Sequence, residues 1–179
     1  MSPGEFDRAA FVAGLRACGA LQHGTFTLAS GRTSTYYVDI KKAVTRPDLL
    51  RAIGDGMSPY AAGADRIAGV ELGAVPIAAV VSLVSGKPYL MVRKEAKGHG
   101  TKKEYEGELA KGDRVLFVED VVTTGGTLRS AIERLRHQGA VVTDVVAVVD
   151  REEGGKIGLA EIGVRLHALV SSKDLLTAS

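Results

Sequence analysis

The chain has 179 residues, 45% hydrophobic and 25% charged, which predicts one globular domain over residues 1–179 rather than a disordered chain. Lys and Arg number 23 against 21 Asp and Glu, a near-neutral balance that speaks against a nucleic-acid surface. One cysteine, Cys18, excludes an intrachain disulfide, and no stretch nears the ~18 consecutive apolar residues of a membrane span.

The start, MSPGEFDRAA, lacks the pattern of a secretory signal, and the small apolar flanks of Cys18 suit a buried thiol in a reducing cytoplasm. Residues 5–21 (EFDRAAFVAGLRACGAL) place Phe6, Ala10, Ala13 and Ala17 near one face, with Leu15 and Leu21 adjoining, at the period of an amphipathic helix. The next stretch, HGTFTLASGRTSTYYVDIKKAVT, alternates turn residues with Thr, Phe, Tyr and Val, predicting short strands around a tight SGR turn. RPDLLRAIGDGMSPYAAG reads as a second helix, with Pro47 in its first turn and Gly63 at its exit.

From there strand, turn and helix repeat. DRIAGV is a strand, ELGAVPIAAVVSLVSG a turn and helix, and PYLMV and RVLFVEDV are strands. TLRSAIERLRHQGA is a helix closed by Gly139, followed by the strands VVTDVVAVVD and VRLHALV. This alternation predicts an α/β fold with a parallel sheet covered on both faces. Residues 93–113, RKEAKGHGTKKEYEGELAKGD, break the rhythm with a weakly apolar, basic segment: a long loop, either solvated or a functional lid.

The most informative run is VLFVEDVVTTGGT, residues 115–127. A buried strand ends in Glu119 and Asp120, then turns through Thr123, Thr124, Gly125, Gly126 and Thr127 into a helix. In an open α/β sheet, ligands bind outside the carboxyl ends of the strands. Glycines admit a close backbone, and the hydroxyls and helix N–H groups suit a phosphate. The two acids repel phosphate, so they suit sugar hydroxyls or a hydrated Mg²⁺. As neighbours on a strand they are expected on opposite faces, which disfavours a matched acid/base pair. The combination predicts a sugar-phosphate site. His23, His137 and His167 have no partner at metal-ligand spacing and are expected to be structural or exposed. The IERLRHQ charges are read as a solvated helix face, and Glu152 and Glu153 as loop surface.

That run resembles the motif with which type I phosphoribosyltransferases bind 5-phosphoribosyl 1-pyrophosphate (PRPP). The resemblance implies a type I phosphoribosyltransferase fold, a parallel sheet flanked by helices. It implies a small N-terminal hood built mainly from about residues 1–42 and a long mobile loop at about 93–108. FTLASGRTSTYYVDIKK, GVELGAVPIA, RKEAKGHGTKKEYEG and VDREEGG are similar, in that order, to segments of the orotate phosphoribosyltransferases. Those enzymes convert orotate and PRPP to orotidine 5′-monophosphate and pyrophosphate in pyrimidine biosynthesis.

Carried over by residue, the resemblance implies that Glu119 and Asp120 bind the ribose hydroxyls, that the turn of Thr123, Thr124, Gly125, Gly126 and Thr127 holds the 5-phosphate, and that Val121 and Val122 belong to the same PRPP site. Arg93, Lys94, Lys97 and His99 would face the pyrophosphate, with Lys97, His99 and Asp120 as the catalytic set. Lys97 and His99 would act in the neighbouring subunit, which implies a homodimer with the loop contributed in trans. Thr123, Arg151, Tyr36 and Tyr37 would contact orotate, Arg151 through the carboxylate. Mg²⁺ is the implied cofactor, carried mainly by PRPP without a dedicated protein metal site. Neither nucleic acid nor membrane is an implied partner, and the implied location is cytoplasmic. Ala29 and Gly73 stand where many or some relatives have lysine. Two alternatives remain at this stage: a phosphoribosyltransferase for another base, such as a purine, and a PRPP-sensing regulator that binds nucleic acid.

Overall fold

In the computed structural model, residues 6–27, 31, 33–94 and 104–177 are described. The first helix, α1 (Arg8–Ala17), begins where the Asp7 carboxylate accepts the Ala10 N–H at 3.0 Å. It is shorter than expected, because Gly19 (φ +72°) turns the chain and Leu21 already opens β1. Its buried face is also a different one. Phe11, Val12 and Leu15 are buried, whereas Ala10, Ala13 and Ala17 are exposed. Alanine removes little area from water, so side-chain volume rather than periodicity selects the packed stripe. Cys18 is only partly buried, its thiol donating to the Leu15 carbonyl at 3.3 Å.

The expected short strands are β1 (Leu21–Thr27) and β2 (Thr33–Val38), which pair antiparallel; Ser30 and Arg32 of the expected turn lie outside the described residues. A short α2 (Lys41–Val44) then leads to α3 (Pro47–Met57), with Pro47 in its first turn. The α-helix stops before Gly63: Pro59 has no N–H for the α-helical ladder, and Ser58–Gly63 winds on as a 3₁₀ helix. Then come β3 (Arg66–Val70), α4 (Ala74–Ser85), β4 (Tyr89–Val92), β5 (Tyr105–Glu106), β6 (Val115–Val122) and α5 (Gly126–His137). The chain continues through β7 (Asp144–Asp150), α6 (Gly155–Ala160), β8 (Arg165–Ser171) and α7 (Ser172–Thr177).

Six strands form one sheet in the order β5-β4-β3-β6-β7-β8, parallel except for the antiparallel edge pair β4–β5. The expected α/β architecture is therefore present. On one face, Leu15 of α1, Ile53 and Met57 of α3, and Ile77 and Val81 of α4 pack with Val118 and Val148. On the other, Leu128, Ile132 and Leu135 of α5 join Phe117, Leu90 and Ala147. Gly69 brings α4 onto the sheet, since a Cβ there would collide with the Ala74 carbonyl and stand 3.0 Å from the Ala78 Cβ. The stretch expected as one long loop is partly structured: Tyr105 and Glu106 pair with Val92 and Met91, and Leu109 packs against the α5-side core.

At the amino ends of the strands, Asp144 receives His167 Nε2 at 2.8 Å, the Thr143 hydroxyl at 2.8 Å and the Arg165 guanidinium at 3.1 Å. Burial would raise its carboxyl, but these partners outweigh burial and hold it at about 2. His167 also stacks on Tyr60, at 4.9 Å between ring centroids, while His23 and His137 are exposed, in line with the expectation that each is structural or exposed. No helix among the described residues is long and apolar enough to cross a membrane.

Candidate active site

The carboxyl ends of β6 and β7 open into a cavity of about 600 Å³. Residues 119–128 line it as an unbroken run, joined by Arg151 and Glu153 after β7 and by Thr27, Tyr37, Val38, Ile40 and Lys41 from the hairpin side. The turn works as its sequence suggests. Gly125 takes φ +79°, and α5 starts at Gly126 with no side-chain cap on its N–H groups. Beneath it lies Gly155, where a Cβ would collide with Val122 and stand 2.8 Å from the Thr123 carbonyl. The turn therefore rests directly on the backbone of α6, an element too short to register as a helical period.

Strand alternation would separate Glu119 from Asp120, yet both line the cavity because they stand at the end of β6. Asp120 N–H donates to Glu119 Oε1 at 3.0 Å, and Val121 N–H to Asp120 Oδ1 at 2.7 Å. Burial, and then the adjacent Asp120 carboxylate, push the Glu119 carboxyl well above the usual glutamate range. Asp120 also lies against Gly73; a Cβ on that glycine would meet Oδ2 and stand 3.0 Å from the carboxyl carbon. Gly73 thus makes room for the acid, and any side chain there would displace it.

Arg151 is held from three sides. Its Nε donates to Glu153 Oε1 at 2.7 Å, an Nη2 proton goes to the Ser34 hydroxyl at 3.1 Å, and its guanidinium carbon lies 4.5 Å from the Tyr36 ring centroid. Glu153 is thus a cavity-lining ion-pair partner rather than loop surface, whereas Glu152 is exposed and pairs with Lys173 at 3.1 Å. The two tyrosines divide: Tyr37 lines the cavity beside Phe26, and Tyr36 supports Arg151 from behind.

Arg93 and Lys94 leave the end of β4 and are not among the residues lining the cavity. Arg93 pairs with Glu106 at 3.1 Å, and Lys94 N–H donates to Glu71 Oε1 at 3.1 Å. Arg134 of α5 donates to the Arg93 carbonyl at 2.6 Å, and Arg136 donates to the Ile162 carbonyl at 2.8 Å. Those arginines tie elements together, which corrects the expectation of a solvated face. Lys97, His99 and Ala29 lie outside the described residues. Lys41 and Glu153 are the charged residues of the cavity lining to which the sequence assigned no site role, and Thr27, Val38, Ile40 and Leu128 join the lining likewise unassigned. Lys41 opens α2, three positions beyond the end of β2, where no motif marks it.

A family profile described as phosphoribosyl transferase domain matches residues 49–157. The orotate phosphoribosyltransferase of Methanocaldococcus jannaschii is 48% identical over 162 residues, covering 90% of this chain and 92% of that protein. The chain belongs to the orotate phosphoribosyltransferase family. Its fold is the type I phosphoribosyltransferase fold. The crystal structure of the Aeropyrum pernix orotate phosphoribosyltransferase matches with a TM-score of 0.84 and 36% identity, over 93% of this chain and 96% of that one. The Mycobacterium tuberculosis orotate phosphoribosyltransferase, solved in complex with PRPP, matches at 0.77 and 31% identity, over 94% and 98% of the two chains.

Proposed function

We propose that the chain transfers the 5-phosphoribosyl group of PRPP to a ring nitrogen of orotate, yielding orotidine 5′-monophosphate and pyrophosphate for pyrimidine biosynthesis in the cytoplasm. The observation that carries this reading is one cavity combining a carboxylate pair, a Thr/Gly turn at a helix N-terminus and a buried arginine. The turn suits the 5-phosphate, and the acids at its strand end suit the ribose hydroxyls. Arg151 is oriented by Glu153 and Ser34, and its Nη1 is engaged by neither, so it offers donors to the orotate carboxylate.

During transfer the C1–oxygen bond of PRPP breaks and pyrophosphate departs with the electron pair, while the orotate ring nitrogen bonds to C1 and its N–H proton passes to pyrophosphate or solvent. Positive charge develops on the ribose and negative charge on pyrophosphate, so preorganised charges account for the chemistry without a covalent nucleophile. Asp120, Lys97 and His99 are the groups assigned to that task, with Arg93 and Lys94 on the leaving pyrophosphate.

Among the described residues no group of three or more His, Cys, Asp and Glu side chains could hold a metal ion. Glu119 and Asp120 are nevertheless hard oxygen donors of the kind Mg²⁺ takes together with ligand phosphates. Bound there, the ion would offset the charge of pyrophosphate. The active unit is a homodimer with residues 93–108 reaching the partner's cavity. Supporting this, α4 carries no charged residue, and Leu83 on it and Leu72 before it are 68% and 79% exposed. Met91 lies on the same sheet face as α4, beside Gly69 on which α4 packs. Apolar surface of this kind is normally covered by a partner.

The test is a panel of orotate, uracil, adenine and hypoxanthine with PRPP and Mg²⁺. The expected result is pyrophosphate release with orotate alone. Turnover of a purine in preference to orotate would reject the assignment.

A further inference from the structure

Among the described residues lining the cavity, the acids Glu119, Asp120 and Glu153 face only two cations, Lys41 and Arg151. Arg151 has a side chain only 2% exposed, is paired with Glu153 at 2.7 Å, and has its remaining donors assigned above to orotate. Lys41 is different, with a side chain 56% exposed. PRPP carries a phosphate and a pyrophosphate, and a site for it needs a reachable cation.

The fold fixes where that cation stands. Ile40 and Ala43, flanking Lys41, are buried and hold α2 against the core. Asp39 Oδ1 accepts both the Lys41 backbone N–H at 3.2 Å and its ammonium at 3.0 Å, which folds the side chain back over its own turn. Its neighbour goes elsewhere: Lys42 Nζ lies 3.6 Å from where a Cβ on Gly19 would stand, at the turn between α1 and β1. Two consecutive lysines are thus separated, one at the cavity and one away from it.

We propose that Lys41 binds the phosphoryl groups of PRPP, with Asp39 positioning its ammonium. An ammonium has three N–H donors and Asp39 engages one of them, which leaves donors for phosphate oxygens. The hydrogen bond to Asp39 raises the Lys41 pKa above its ordinary value, against a smaller opposing effect of burial, and Tyr37 and Asp120 add to the rise. The side chain is therefore a fixed positive charge throughout the working pH range. This inference rests on PRPP being the substrate of the cavity.

Three variants test it: Lys41→Gln, Lys41→Arg, and Lys42→Gln as a control of equal charge change outside the cavity. Lys41→Gln should raise the PRPP KM about tenfold, the low end for losing a charge-assisted hydrogen bond because the group is half exposed. Its orotate KM should stay within about twofold, since Lys41 is assigned to the other substrate. Calorimetry with pyrophosphate and with ribose 5-phosphate should show weaker binding of at least one. Lys41→Arg should recover most of the PRPP affinity, and Lys42→Gln should match the parent. An unchanged PRPP KM in Lys41→Gln, a shift confined to orotate, or an equal loss in Lys42→Gln would overturn the proposal. A parent enzyme that consumes no orotate with PRPP would instead overturn the functional reading beneath it.

Discussion

Glu119 has its ionisation held back by burial and by the Asp120 carboxylate beside it. The native chain therefore binds the Glu119 proton more tightly than the unfolded chain, whose value lies near 4.5. Below that value the effect on stability is absent. It grows as a loss of stability while the pH rises, and is complete above the raised native value. Glu119→Gln removes this loss, so the variant should unfold later than its parent at about pH 8 and lose that advantage near pH 4, read from melting curves across pH. Arg151 gives a second prediction. Arg151→Ala removes the donors proposed for the orotate carboxylate, and the orotate KM should rise by the equivalent of roughly 1.5–3 kcal/mol, more than the PRPP KM. Steady-state kinetics in which only the PRPP term moves would assign the arginine to the other substrate. Glu119, Asp120 and the Thr/Gly turn were readable because they are contiguous and their types conflict with a core strand. The partners of Arg151 were not: Ser34 lies 117 positions away, and Glu153 follows it in a stretch with no period to place it inside.

The turn between β6 and α5 depends on α6, because Gly155 is where the two backbones touch. Gly155→Ala should push Val122 and the Thr123 carbonyl out of place. Overpacking of this kind costs about 1–3 kcal/mol, and the displaced turn should also weaken PRPP binding. Denaturant unfolding together with PRPP titration checks both; an unaltered PRPP affinity would show that the turn does not need this support. The strand and helix rhythm from β3 to β8 was legible because strands buried on both faces read as unbroken apolar runs. Short elements escaped: β5 has two residues, and α6 and α7 have six each, fewer than two helical turns. The packed face of α1 was misread for a different reason. Its alanines keep a helical spacing, yet the area to be buried belongs to Phe11, Val12 and Leu15.

At the scale of the molecule, the proposed sharing of residues 93–108 between subunits predicts repair between defective chains. Lys97→Ala protein and Asp120→Ala protein should each be nearly inactive. After subunit exchange, a heterodimer carries one cavity with neither change, giving up to about half the activity of a parent dimer by counting sites. Exchange verified by mass spectrometry with no gain over the two variants would place the segment in its own subunit's cavity. The family was legible across nearly the whole chain because its segments keep their order; the cavity as a three-dimensional object was not, since the hairpin and the β7 exit meet only after folding. The central claim is the transfer itself, and it is tested most directly by mixing the purified protein with orotate, PRPP and Mg²⁺. The account predicts loss of orotate absorbance with one pyrophosphate released per orotate consumed, dependent on PRPP. Orotate that persists at high enzyme concentration, or pyrophosphate released without loss of orotate, would contradict it.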